Sequence, residues 1–170
     1  MKRMLWLVAA GVTTVTALAV AGSGPVAAEA ADTPPSLVED FTYPGADAIR
    51  TAPANFGLKL FNGDGHILFV RTRTYDDGQC PTGEIQVERA LTTEPYGLYY
   101  CFRSIGTKGY LTLEVPATFG VRGGSNALEA TAQLPDGEKT YQVPANTPVA
   151  ISPGQGDELP PAILVELSLK

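Results

Sequence analysis

His66 is the only histidine in a chain of 170 residues, so any imidazole acting as a general base near neutral pH must be this one. Asp64 stands two residues before it across Gly65 and could orient the ring. Ser125, in Gly123-Gly124-Ser125-Asn126, could supply a nucleophile on a tight loop. These three residues are the catalytic candidates. No Gly-x-Ser-x-Gly elbow accompanies the serine. Asn62-Gly63-Asp64-Gly65 also reads as a hairpin turn in which Asp64 accepts backbone N–H groups and His66 opens the next strand, and this reading is the stronger.

Other side chains point to weaker chemistry. Asp64, Asp76, Asp77, Asp136, Asp157 and Glu158 fall on turn-rich stretches and offer oxygen to a hard cation, but none has the spacing of a calcium loop. They are expected to be the solvated loops of an acidic protein, with no metal and no cofactor. Tyr96, Tyr99 and Tyr110 are the candidate ligand contacts, since tyrosines are the strongest stacking residues left once Trp6 is set aside. Period-two alternation should bury one of Tyr99 and Tyr100 and expose the other, so core and edge packing is the simpler account of them. The glycine pairs at 63–65 and 154–156 lack the residues that complete a phosphate cradle.

Cys80 and Cys101 are the only cysteines, too few with one histidine to fill a zinc site. In an exported chain such a pair bonds, and closing a loop of this length contributes about 3 kcal/mol in the chain-entropy model.

Export is itself legible. Lys2 and Arg3 precede an uncharged run over 5–20, and Ala28-Glu29-Ala30 then supplies a small-residue cleavage site. A signal peptide over 1–30 is expected, with cleavage after Ala30; Val26-Ala27-Ala28 is the alternative site. Thr13, Thr14 and Thr16 and the closing Gly22, Gly24 and Pro25 argue against a retained anchor, although 4–21 approaches the length that spans a bilayer. The whole chain carries 12 basic and 18 acidic residues, net -6; without Lys2, Arg3 and Glu29 the balance is 10 against 17, or -7. That sign argues against nucleic acid and anionic membranes as partners.

The elements that must position these residues are strands. Alternation runs through 85–88, 111–115, 128–134 and 163–169, the last expected to turn Ile163, Val165, Leu167 and Leu169 to one face. Residues 67–70 are apolar on both parities, which predicts a strand covered on both faces. Shorter strands are expected at 98–103, 141–143 and 149–151, with one short helix over 44–50. Turn chemistry separates them at 62–65, 76–78, 122–124, 135–137 and 154–157. The 127–133 stretch has helical propensity, yet its alternation favours a strand. Together these give a flexible lead-in at 31–40 and an all-β domain over 41–170. We expect a single antiparallel sandwich of about eight strands, Ig-like or jelly-roll-like.

Gly63-Asp64-Gly65-His66-Ile67, Ile85-Gln86-Val87, Cys101-Phe102, the run Gly109-Tyr110-Leu111-Thr112-Leu113-Glu114-Val115-Pro116, the opening Phe41-Thr42-Tyr43-Pro44-Gly45-Ala46 and the closing Leu164-Val165-Glu166-Leu167 carry a likeness. On these residues the chain resembles a group of small secreted actinobacterial proteins of the Streptomyces type, over essentially the whole domain. The resemblance implies a shared fold and export and brings no catalytic residues with it. The functional expectation is therefore a secreted, non-catalytic binding or structural module meeting a cell-wall or extracellular protein partner. A small hydrolase using His66 is the alternative. A peptidase inhibitor offering 118–126 as an exposed loop stands third.

Overall fold

The computed structural model describes residues 42–52, 55–152, 154 and 158–170. The predicted signal sequence, the lead-in and most of the 154–157 turn lie outside them. One helix, α1 (Ala46–Thr51), precedes ten strands: β1 (Lys59–Gly63), β2 (Ile67–Thr74), β3 (Ile85–Ala90), β4 (Gly97–Ser104), β5 (Gly109–Pro116), β6 (Thr118–Arg122), β7 (Leu128–Leu134), β8 (Gly137–Val143), β9 (Pro148–Ala150) and β10 (Ile163–Leu169). They form two five-stranded sheets, ordered β1-β5-β10-β7-β8 and β2-β4-β3-β6-β9. Every pairing is antiparallel. The expected all-β sandwich is present, with two strands more than the pattern suggested.

Alternation explains most of the core. Leu111, Leu113 and Val115 of β5 and Leu128, Ala130 and Ala132 of β7 turn inward from the first sheet, to meet Ile85 and Val87 of β3 and Leu98, Tyr100 and Phe102 of β4. The 127–133 stretch is a strand, as its period-two pattern required. Phe69 packs edge-on against Phe102 at 5.7 Å between ring centroids.

Three expectations are corrected. In β10 the pairing register slips between Leu164 and Glu166 against both neighbours. The bulge reverses parity, so Leu164, Leu167 and Leu169 point inward while Ile163 and Val165 stay half-buried outside. Residues 67–70 are not covered on both faces: β2 is an edge strand, and Val70, at another register slip, is 40% exposed. Residues 118–122 are no loop, since β6 runs between β3 and β9 with Thr118 and Val121 buried.

One flank is closed by polar side chains. The Tyr43 N–H donates to Phe61 O at 2.7 Å, and its hydroxyl accepts the Phe69 N–H at 2.7 Å, so Tyr43 spans from β1 to β2. Asn55 joins α1 to the second sheet: its amide donates to Ile49 O, while Tyr100 and Thr72 donate to its oxygens.

Candidate functional site

His66 sits at the mouth of β2, half exposed, with Nδ1 3.3 Å from Asp64 Oδ2. Asp64 Oδ1 accepts the backbone N–H groups of His66 at 3.1 Å and Tyr110 at 3.2 Å. Burial alone would raise the Asp64 carboxyl; these two N–H groups and the adjacent imidazole outweigh it and hold the group below the usual carboxylate range. Gly109 packs under the His66 Cβ, where a side chain would collide. The arrangement fastens the β1–β2 turn to the start of β5. Ser125 lies on the exposed loop before β7, its N–H donating to Gly83 O at 3.0 Å. Among the described residues no hydrogen bond joins it to His66 or Asp64.

Of the other acidic turn residues, Asp77 is engaged locally. Asp77 Oδ2 accepts both the N–H and the hydroxyl of Thr74, and those bonds, with Arg73 nearby, lower its carboxyl. Asp157 lies outside the described residues. The one grouping of three metal-type ligands among the described residues is Cys80, Glu84 and Cys101, and its two sulfurs are bonded to each other. The predicted disulfide is formed.

That disulfide anchors a feature which sequence patterning did not reveal. After β2 the chain turns at 75–78, where Arg73 donates to Gly78 O and Asp77 O, and then lies back across the outer face of the second sheet. Cys80 is tied down three ways: through its sulfur to Cys101 on β4, through its N–H to Gln86 Oε1 at 2.9 Å, and through its carbonyl to Arg122 at 2.7 Å. Glu84 then takes Arg71 in a two-pronged ion pair at 2.8 and 3.0 Å.

Beside this strap the same face carries aromatic and acidic groups. Tyr75 lies flat over Gly97, whose missing side chain makes room for the ring, and packs against Tyr99 with centroids 5.0 Å apart. Its hydroxyl donates to Glu88 Oε1 at 2.7 Å. Burial, then the Glu88 bond and charge, push the Tyr75 phenol well above its ordinary value. Among the described residues, none hydrogen-bonds to the second Glu88 oxygen. Glu88 lines a groove of about 170 Å³ together with Phe119, Gly120, Arg122 and Pro148. A side chain at Gly120 would press on Val149 O at 3.1 Å, so that position stays bare.

Of the three tyrosines singled out from the sequence, Tyr99 belongs to this face, but Tyr75 and the strap cover it to 9% exposure. Its phenol is raised, by burial first and by Glu88 second. Tyr96, 63% exposed, stands just before β4 at the end of the same sheet, and Tyr110 is on β5 in the other sheet. The three therefore make no common platform. Glu88 and Phe119 were missed as site residues. Glu88 showed only as the polar half of an alternating strand, and Phe119 sits in a strand too short to show a period. Compared with known proteins, the chain matches no family model and no curated protein.

Proposed function

We propose that the protein is an exported, non-catalytic binding module, and that it engages its ligand through the outer face of the β2-β4-β3-β6-β9 sheet. The observation that carries this reading is the groove over Gly120, lined by Phe119 and by Glu88, whose second carboxylate oxygen bonds to no described residue. A carboxylate and an aromatic side chain in one groove suit a hydroxyl- or ammonium-bearing group with an apolar side, which matches the chemistry of envelope surfaces. The disulfide-held strap fixes Arg122 of the same groove through Cys80 O, so little ordering entropy is lost on binding. Secretion, the actinobacterial resemblance and the absence of catalysis belong to this proposal. His66 and Asp64 support it by their engagement in a turn.

The test is retention on insoluble cell-envelope material. The wild-type protein should be retained, and Glu88→Ala and Phe119→Ala should each weaken binding by about tenfold or more, roughly 1.4 kcal/mol. His66→Ala should bind as the wild type does. Equal retention of all four proteins, or a hydrolytic activity abolished by His66→Ala, would replace this reading with the hydrolase one.

A further inference from the structure

Each sheet has two edge strands, and three of the four edges carry a device that stops another strand from adding. On β1, Thr42 pairs with Asn62 and the Tyr43 N–H takes Phe61 O. On β2, the register slip at Val70 bends the strand, and the Tyr43 hydroxyl covers the Phe69 N–H. The β9 edge has three residues and begins at Pro148. The fourth edge, β8, has none of these: it is seven residues long, contains no proline, and pairs with β7 without a slip.

The hairpin register settles which backbone groups of β8 remain open. Leu134 pairs with Gly137 across the two-residue turn Pro135–Asp136, so that pair exchanges the hydrogen bonds that close the turn. Bonded and non-bonded pairs then alternate. Gly137, Lys139, Tyr141 and Val143 bond to β7, and Glu138, Thr140 and Gln142 direct their N–H and C=O groups away from it. The side chains agree, since the close approach of a non-bonded pair is seen at Thr131–Thr140, with hydroxyls 3.1 Å apart, and at Glu129–Gln142, bonded at 2.7 Å. No described residue bonds to the outward backbone of Glu138, Thr140 or Gln142.

We propose that β8 is a homodimer interface, pairing antiparallel with β8 of a second copy about a two-fold axis at Thr140. Thr140 is the middle of the seven residues, so a register with its two-fold axis there overlaps the whole strand and sets the outward groups of the two copies against each other. It is also self-complementary. Glu138 comes opposite Gln142 of the other copy, a carboxylate facing an amide donor. Lys139 comes opposite Tyr141 of the other copy, repeating between copies the ammonium-over-ring contact that these residues already make within one chain at 4.9 Å. No like charges face each other. An isologous pairing of this kind closes on itself, giving one ten-stranded sheet across two molecules and no fibre.

Sedimentation equilibrium of the wild-type protein tests it, beside two variants. The wild type should weigh as a dimer. Thr140→Pro removes an outward N–H and leaves every backbone bond to β7 in place, giving up only the exposed hydroxyl contact with Thr131; it should sediment as a monomer with unchanged far-ultraviolet circular dichroism. Gln142→Lys sets an ammonium opposite each Glu138 and should lower the dimer dissociation constant severalfold, while keeping a partner in Glu129. A wild type that stays monomeric at millimolar concentration overturns the proposal. So does a folded Thr140→Pro protein that remains a dimer, or a Gln142→Lys protein that associates more weakly. Neither variant touches the groove over Gly120, so envelope retention and self-association fail independently.

Discussion

At the residue scale, Asp64 shows how one side chain can look catalytic and be structural. Its spacing from His66 is that of an orienting carboxylate, yet its oxygens are taken by two backbone N–H groups and the imidazole. The folded protein therefore holds its carboxyl below the unfolded value. A carboxyl depressed on folding stabilises fully above its unfolded pKa, about 4, and loses that contribution as pH falls through the folded value. Asp64→Asn should lower stability at pH 7 by about 1 to 2 kcal/mol, the worth of weakened charge-assisted bonds. The gap between the two proteins should close between pH 4 and the acid limit, read as urea midpoints across pH. Asp77 and Glu129 are depressed as well, and since both proteins share them they cancel in the difference. A gap that stays constant into acid would remove the assignment.

At the scale of elements, what was legible in the sequence and what was not divide along physical lines. Strands with one apolar face announced themselves: β5 and β7 follow period two, because one face meets the core and the other is more open to water. β10 has the same alternation but not the predicted faces, since a bulge inserts a residue and reverses parity beyond it, and alternation alone carries no sign of that. β6 was hidden for a different reason. Its buried Thr118 is held by Val115 O at 2.7 Å, and its Gly120 exists for the close approach of β9, so neither is an apolar signal. The strap was half legible. The cysteine pair was, but its laying of 75–84 over a sheet face was not, because the tethers are Gln86, which reads as an ordinary polar strand position, and Arg122, which reads as part of the 122–124 turn. Cys80 is 3% exposed and Cys101 is fully buried, so a reductant in native buffer should leave the bond intact until denaturant is added, as thiol trapping and mass will show. With the cysteines 21 positions apart in sequence, the Cys80→Ser/Cys101→Ser protein should lose about 3 kcal/mol, and amide protection should fall first in 75–84. Rapid native-state reduction would contradict this.

At the scale of the whole molecule, the Cys80–Cys101 disulfide is compatible with an extracellular protein. The chain has a net charge of -6 and a buried disulfide of the kind that persists in an oxidising medium, and among its described residues no helix is long and apolar enough to cross a membrane. The same reasoning gives export a spectroscopic consequence. Trp6 is the only tryptophan and stands in the segment expected to be removed, whereas the aromatic residues of the sandwich are all tyrosine or phenylalanine. Protein recovered from the medium should begin at Ala31 by intact mass and emit as a tyrosine protein. Its denatured, unreduced form should show no free thiol. Tryptophan emission from the protein in the medium would mean that Trp6 is retained, and would overturn cleavage after Ala30.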